Sequence, residues 1–228
     1  MSPLTTYELG DGIATITMDD GKVNALSPDM LGDLSGRLDQ AQADGAVVVL
    51  TGNERLFCAG FDLRCEAERW PEMLAAGAGL AERMLAFPRP VVVACNGAAV
   101  AMGGFLLLSG DLRIGAEGDY AIGLNEVAIG LTLPWFAIEL ARHRLTRPYF
   151  DRCTVTGTML GPDEARGAGF LDRVVAADQL RGAALAAAAE LGTVDAAAHA
   201  ATKLRVREHV LAGVRDGIDR INDADREL

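Results

Sequence analysis

Two glycine-containing loops each follow an apolar, strand-like run, and together they could stabilise a negative charge. The first loop, residues 57–63, follows the run 47–50, and the second, residues 96–104, follows the run 91–95. Two backbone N–H groups presented by such loops can hold one oxygen that becomes negative during a reaction. If the loops converge, the sequence indicates an enzyme that acts on a carbonyl group, and a thioester is the carbonyl that we expect.

Each loop supplies one candidate donor. Gly60 permits backbone angles that a Cβ would disfavour, so the N–H of Phe61 can face a substrate oxygen. Residues 101–104 open an apolar helix, and the free N–H groups at a helix start favour negative charge, which makes Met102 or Gly103 the second donor. For either loop alone, a glycine turn or close helix packing is the commoner explanation; the pair is much less expected by chance.

Glu126 is the acid of the otherwise apolar run 123–130. Burial would raise the pKa of its carboxyl group towards the range that suits a general base. An exposed loop glutamate, or a glutamate held in a salt bridge, is the alternative that the composition leaves open.

Two cations, Lys22 and Arg64, are candidates for binding a phosphate-bearing ligand, although a solvated surface charge explains each of them equally well. The formal net charge of the chain is -11, which disfavours long-range attraction of a polyanion, so any anion site must be local.

Four other charged residues are not predicted to do chemistry. Lys203 and Arg205 are expected to form a solvated helix face. Asp62 is expected to fix its loop, and Asp111 to end a helix or to pair locally.

The composition bounds the class of protein. The chain has 228 residues, half of them hydrophobic, which fits one compact unit or one domain with a helical appendage. It has no basic stripe, which argues against a nucleic-acid partner. The four cysteines have no metal-type spacing and are typical of reduced residues in a cytoplasmic protein. The uncharged run 91–109 is broken by glycines and predicts a strand, a turn and a helix instead of a membrane span.

Periodicity and turn residues predict the elements that position these groups. We expect a hairpin over residues 7–18, strands at 47–51, 91–95, 112–114, 120–122 and 170–175, and helices from Ser27-Pro28 and at 71–87, 103–109, 135–143, 149–155 and 162–168. Beyond residue 178 the pattern is helical, at 180–191, 196–210 and 214–223. The sequence thus predicts an α/β protein with a core at 1–176 and a helical region at 177–228, whose apolar faces need a partner surface.

At these residues the chain resembles the crotonase, or enoyl-CoA hydratase/isomerase, superfamily. The likeness is carried by residues 16–18, 22–26, 57–63, 96–111 and 170–175. It implies a spiral of ββα units followed by helices that build homotrimers, often paired as dimers of trimers. It also implies an acyl-CoA substrate, with coenzyme A as part of the substrate and with no other cofactor and no metal.

The resemblance also implies roles for individual residues. By this likeness the N–H groups of Phe61 and Met102 hold the thioester oxygen, and Glu126 is the catalytic acid–base. The residues implied in binding substrate and coenzyme A are Lys22, Val23, Ala25, Ala59, Gly60, Asp62, Leu63, Gly103, Phe105, Asn125 and Pro134.

The chain departs from the superfamily pattern at two positions. Hydratases that resemble crotonase hold a water between two glutamates, but Phe105 stands at the first position and only Glu126 is present. Met102 stands where the superfamily usually has a glycine. A single acid suits proton transfer from C2 to C4 of a 3-enoyl-CoA, with Asn125 orienting the carboxylate or binding water.

Three alternatives stay open at this stage. One is hydration with Asn125 as the second water-binding group, and another is a different crotonase reaction such as hydrolysis or decarboxylation. The third is a CoA-thioester-binding protein without turnover, which the departures at Phe105 and Met102 and the short C-terminus would suit.

Overall fold

The computed structural model describes residues 3–224. The strands are β1 Thr5–Gly10, β2 Ile13–Met18, β3 Val47–Thr51, β4 Val91–Cys95, β5 Ala99–Val100, β6 Leu112–Ala116, β7 Ile122–Gly123 and β8 Arg173–Val175. The α-helices are α1 Pro28–Ala43, α2 Trp70–Ala86, α3 Met102–Ser109, α4 Trp135–Arg144, α5 Arg147–Thr154, α6 Pro162–Ala168, α7 Leu180–Gly192, α8 Ala196–Val206 and α9 Glu208–Ala224. Short 3-10 helices lie at Ala67–Arg69, Val127–Ile129 and Ala177–Gln179.

One sheet carries six of these strands in the order β1-β2-β3-β4-β6-β8. Only the β1–β2 hairpin is antiparallel, and the other four pairings are parallel. Strands of a parallel sheet are covered on both faces, which explains why β4 and the first four residues of β3 are all apolar. The second sheet pairs only β5 with β7, in parallel. The predicted α/β class is therefore confirmed, and the sheet is mostly parallel.

Alternate residues of β3 point into two separate cores. Val48 and Leu50 pack into the large core with α1, α2 and α3, whereas Val47 and Val49 pack against the alanine-rich face of α7. The sequence 47–50 is apolar at every position because both faces of the strand are buried.

Most predicted elements are confirmed to within two or three residues. The hairpin forms as expected, and α1 begins as its sequence indicates: Pro28 is in the first turn, and the Ser27 hydroxyl accepts a hydrogen bond from the N–H of Met30 at 3.2 Å. The last strand is shorter than predicted and begins at Arg173, because the N–H groups of Phe170 and Leu171 donate to the Ala165 carbonyl at the end of α6.

The predicted break between the last two helices was wrong. We expected helix to residue 210 and a new helix from 214, but α8 ends at Val206 and α9 starts at Glu208. Arg207 leaves the helical backbone and sends its guanidinium to the Leu85 carbonyl at 2.9 Å. Residues 210, 211 and 214 are all buried in the large core, so the helix continues through the predicted break.

The expectations of a solvated Lys203 and of local pairing at Asp111 were also wrong. Lys203 is buried, and its ammonium lies 2.6 Å from the Asp111 carboxylate. Arg207 pairs with the same carboxylate at 2.7 Å, and the N–H of Val91 donates to it at 2.7 Å. Asp111 therefore pairs with distant residues, because a buried carboxylate needs charged and hydrogen-bonding partners. Arg205 is exposed, as expected.

The late helices pack on the rest of the chain. Helix α7 covers one face of the sheet, and α9 lies against α2 and α4. The predicted division into 1–176 and 177–228 stays a prediction, and its residues 1–2 and 225–228 lie outside the described residues. Within residues 3–224, no helix combines the length and the apolar character that crossing a membrane requires.

Candidate active site

The two glycine loops meet. Cys58 forms a parallel bridge with Ala99, with hydrogen bonds from the Cys58 N–H to the Ala98 carbonyl and from the Val100 N–H to the Cys58 carbonyl, each 3.0 Å long. At Gly60, where φ is +94°, a Cβ would come within 2.9 Å of the Val100 carbonyl oxygen. A side chain at position 60 would therefore push the loops apart.

Each loop presents a free N–H group beside this contact. The Leu26 N–H donates to the Gly60 carbonyl, and the Leu26 carbonyl accepts the Asp62 N–H. These two bonds flank Phe61, whose own N–H has no partner in the part of the chain that the structure describes. Met102 is the first residue of α3, so its N–H has no intrahelical acceptor and donates to no described residue. A Cβ built on Gly60 would lie 3.5 Å from the Met102 nitrogen, which places the two donors at one junction.

The residue before Met102 has an unusual backbone. Ala101 has φ 52° and ψ -121°, a conformation that favours glycine. Hydrogen bonds hold it on both sides: its N–H donates to the Gly123 carbonyl at 3.0 Å, and its carbonyl accepts the Phe105 N–H at 3.1 Å. The sequence gives no sign of this conformation, because an alanine does not mark a position of positive φ.

An apolar cavity of about 250 Å³ opens at this junction. Among the side chains of the described residues that line it, only Asn125, Glu126 and Thr132 are polar. The lining residues are Ala59, Phe61, Leu63, Trp70, Leu74, Ala101, Phe105, Asn125, Glu126, Ile129, Leu131, Thr132, Pro134 and Phe136. Seven of the residues predicted for the site are therefore brought together here: Ala59, Phe61, Leu63, Phe105, Asn125, Glu126 and Pro134.

Glu126 is buried in the cavity wall, with 8% of its surface exposed. Its Oε2 atom is buried and has no hydrogen-bond partner among the described residues. Burial raises the pKa of this carboxyl group, and a hydrogen bond from its own backbone N–H opposes the shift only in part. The alternatives of an exposed loop glutamate or a salt-bridged one do not fit this geometry. The Oδ1 atom of the neighbouring Asn125 is likewise buried and unpaired within the described chain.

Aromatic rings form the rest of the wall. Phe105 is almost fully buried and packs edge-to-face on Phe136, with ring centroids 6.0 Å apart. The Phe61 ring packs edge-to-face on Trp70 at 6.3 Å and lies over Gly77, where a Cβ would come within 2.5 Å of the ring. Apart from Asn125 and Thr132, Glu126 thus faces an apolar space.

The remaining predicted site residues lie behind or beside the cavity. Met102 and Gly103 are buried behind its wall, and a Cβ on Gly103 would come within 2.4 Å of the Cys58 carbonyl oxygen. The loop that carries Lys22, Val23 and Ala25 is tied to the first glycine loop, because the Val23 carbonyl accepts the Ala59 N–H at 3.1 Å.

The two candidate cations differ in availability. The Arg64 guanidinium pairs with the Asp62 carboxylate at 2.9 Å, and hydrogen bonding to Arg64 lowers the pKa of Asp62. Asp62 also accepts the Arg64 N–H at 3.0 Å and so fixes its loop, as expected. Lys22 is exposed and forms no ion pair with any residue in 3–222. It is therefore the more available of the two for an anion.

The mostly parallel sheet, the helices around it and the cavity at the junction of two loops place the protein in the crotonase superfamily. More narrowly, the chain belongs to the enoyl-CoA hydratase/isomerase family, whose model matches residues 8–218.

Individual relatives carry both names of the family. A crystal structure of an enoyl-CoA hydratase/isomerase family protein from Pseudomonas syringae is 47% identical, with a TM-score of 0.94 and 96% of each chain covered. A structure described as the apo enoyl-CoA isomerase of Mycobacterium tuberculosis is 44% identical, with a TM-score of 0.95, covering 98% of this chain and 99% of that one. A putative enoyl-CoA hydratase of Thermus thermophilus is 32% identical over 94% of this chain and 87% of its own length.

Proposed function

We propose that this enzyme converts 3-enoyl-CoA to 2-enoyl-CoA, with Glu126 as the single acid–base group. The observation that carries the proposal is the pairing of Glu126 with an otherwise almost wholly apolar cavity. Phe105, which by the resemblance stands where hydratases carry their first glutamate, lines the same cavity. Phenylalanine can neither ionise nor orient water, so the site favours moving a proton within the substrate over adding water to it.

The mechanism follows from the positions of the groups. The thioester oxygen accepts hydrogen bonds from the N–H groups of Phe61 and Met102. The Glu126 carboxylate removes a proton from C2, and the electrons of that C–H bond form the C1=C2 bond of an enolate, whose negative oxygen the two donors stabilise. The carbonyl then re-forms, a double bond forms between C2 and C3, and the electrons of the former C3=C4 bond take the proton from Glu126 at C4.

Burial of Glu126 serves both steps. A raised pKa makes the carboxylate a stronger base towards C2 and leaves it an acid of matched strength when it returns the proton at C4. The apolar wall excludes water that would otherwise compete for the proton or for the double bond.

The coenzyme A part of the substrate would lie outside the cavity, along the loops that carry Val23, Ala25 and Leu63. Lys22 is the candidate partner for a phosphate there. The reaction needs no cofactor besides the coenzyme A of the substrate. We further propose a homotrimer or a dimer of trimers in the cytoplasm; light scattering of the purified protein and fractionation of cells test these two points.

Hydration of 2-enoyl-CoA is the second candidate function. It is favoured by one observation: the Asn125 Oδ1 and Glu126 Oε2 atoms are both buried and unpaired within the described chain, and both residues line the same cavity. A water held by these two groups could be delivered to C3 of the substrate. A CoA-thioester-binding protein without turnover is the candidate of another class.

Purified protein incubated separately with 3-hexenoyl-CoA and 2-hexenoyl-CoA distinguishes the three candidates. Isomerisation gives a conjugated product with rising ultraviolet absorbance and no change in mass. A gain of one water on 2-hexenoyl-CoA would establish hydration. Saturable binding without turnover of either compound would refute both catalytic proposals.

A further inference from the structure

A short exposed segment divides the candidate active-site cavity from a second apolar space. We call residues 127–132 the strap; all six are exposed. On its far side lies a groove of about 540 Å³, whose lining includes Leu133, Ile138, Phe150 and Val155. Leu131 and Thr132 line both the cavity and the groove, so these two residues are the partition between them.

Different side chains of the strap line the cavity and the groove, and hydrogen bonds fix the start of the strap. Val127 lines the groove, whereas Ile129 lines the cavity. The N–H groups of Ile129 and Leu131 both donate to the Glu126 carbonyl, at 3.1 Å and 2.9 Å. The strap therefore continues directly from the residue proposed as the acid–base group.

The start of the strap also packs closely against Gly157. At Gly157, whose φ is +64°, a Cβ would come within 3.1 Å of the Ala128 nitrogen and methyl carbon. This close approach fixes the position of Ala128. The position of the partition relative to Glu126 is therefore set by packing as well as by hydrogen bonds.

The cavity volume bounds what fits on the near side of the partition. A volume of about 250 Å³ equals that of about eight water molecules at roughly 30 Å³ each. An acyl thioester group of about six carbons has about eight non-hydrogen atoms when its oxygen and sulfur are counted, so it fills a volume similar to that of about eight water molecules. A longer chain that runs towards the groove would meet Leu131 and Thr132 first.

We propose that the strap restricts this enzyme to short acyl chains of up to about six carbons, with Leu131 as the specificity-determining residue. The inference rests on the proposed function only in taking an acyl-CoA as the ligand. A side chain shortened at Leu131 joins the cavity to the groove, where apolar side chains can bury the further methylene groups of a longer chain.

Calorimetric binding of butanoyl-, hexanoyl-, decanoyl- and dodecanoyl-CoA tests the partition without requiring turnover. For the unaltered protein we expect affinity to rise to six carbons and then to stop rising, because further methylenes stay in solvent. In Leu131→Ala the affinity should continue to rise, by up to about fourfold per methylene buried in the groove. The ratio of decanoyl to hexanoyl affinity should therefore increase by at least about tenfold, within the range that methylene discrimination allows.

Two further variants control the experiment. Val155→Ala shortens an apolar side chain of the groove away from the partition and should leave the decanoyl-to-hexanoyl ratio unchanged. Leu131→Phe thickens the partition and should lower the affinity for hexanoyl-CoA relative to butanoyl-CoA. Leu131 is 45% exposed, so neither substitution at this position opens a hole in a packed core.

The inference is overturned if the unaltered protein already gains affinity steadily from six to twelve carbons, or if Leu131→Ala and Val155→Ala give the same ratio. The same ligands separate this inference from the proposed function. A chain-length limit that responds to Leu131 in a protein that does not isomerise 3-hexenoyl-CoA refutes the isomerase proposal alone. Failure to bind any of the four compounds refutes both.

Discussion

The methyl group of Ala101 lies against Gly60: a Cβ built on Gly60 would stand 3.0 Å from it. This contact joins the two loops where the N–H groups of Phe61 and Met102 emerge. The ψ angle of Ala101 orients the peptide group that carries the Met102 N–H, so Ala101 aims one of the two proposed donors. It does so in a backbone conformation that costs an alanine about 1–3 kcal/mol.

Replacement of Ala101 by glycine should lower the activity of the enzyme without lowering its stability. Glycine adopts the observed angles without strain, but it loses more entropy on folding, by about 0.4–1 kcal/mol. We expect the free energy of unfolding of Ala101→Gly, measured in urea, to be unchanged or to rise by about 1 kcal/mol. We expect kcat to fall, by less than the roughly 10²–10³-fold that loss of a whole oxyanion donor costs, and KM to change little.

Ala137→Gly is the matched control, since Ala137 is fully buried in the first turn of α4. There the same substitution should cost about 1 kcal/mol or more and leave kcat unchanged. A loss of stability in Ala101→Gly equal to that of Ala137→Gly would show that the angles at Ala101 store no strain. An unchanged kcat would show that Ala101 does not aim the donor.

Glu126→Gln should abolish isomerisation while the protein stays folded. Removal of a general acid–base group costs about 10²–10⁴-fold in rate, and we expect kcat to fall within this range. Affinity for a saturated acyl-CoA should be nearly unchanged, because the amide occupies the same volume. Glu190→Gln alters an exposed glutamate on α7 and should retain full activity. An active Glu126→Gln enzyme would contradict the proposed mechanism outright.

The pH dependence of kcat/KM should report the environment of Glu126. Because burial raises the pKa of this group, activity should be lost as the pH falls through a value above that of an ordinary glutamate. Rates with 3-hexenoyl-CoA from pH 4 to 8, together with Glu126→Asp, test this. If activity were lost at the pKa of an ordinary glutamate, or at the same pH in Glu126→Asp as in the unaltered protein, another group would control the rate.

The same shift predicts how stability changes with pH. A carboxyl group with a raised pKa binds its proton more tightly in the folded state, so its contribution to stability falls as pH rises from the ordinary glutamate value through the raised one. Glu126→Gln has no such cost. Its stability relative to the unaltered protein should therefore increase across this window and then stay constant, as urea titrations at several pH values would show.

The sequence was most informative where one residue type has one common use. Apolar runs at 47–50 and 91–95 predicted strands, and Ser27-Pro28 predicted the start of α1. Gly60 indicated a backbone that excludes a side chain, and its φ is positive. These signals are local, so the flanking residues were sufficient to interpret them.

What the sequence did not predict depends on contacts between distant segments. The conformation of Ala101 is imposed by the Gly123 carbonyl and by the start of α3, neither of which alters the local sequence pattern. Likewise, Lys203 and Arg205 lie two residues apart in a charged stretch of helix. Only the contact with Asp111 distinguishes the buried Lys203 from the solvated Arg205. Periodicity cannot identify such a pair, because its members are about ninety residues apart.

The Asp111 cluster gives a last prediction, on stability. Asp111→Asn removes the charge that two buried cations, Lys203 and Arg207, share. Leaving them uncompensated should cost about 3–5 kcal/mol in the free energy of unfolding. Lys203→Met should cost less, because Asp111 keeps Arg207 and the Val91 N–H, and because burial already lowers the pKa of Lys203 to about 8.

Urea unfolding of these variants beside Asp216→Asn provides the comparison. Asp216 pairs with Arg220 in solvent, so its substitution should change stability by less than about 1 kcal/mol. If Asp111→Asn were no more damaging than Asp216→Asn, the buried cluster would not be what attaches α8 and α9 to the end of α3. If Lys203→Met were the more damaging variant, the hydrogen bonds of the Lys203 ammonium to Asp111 and the Arg89 carbonyl, and not the two cations left uncompensated by loss of the Asp111 charge, would control the stability of this region.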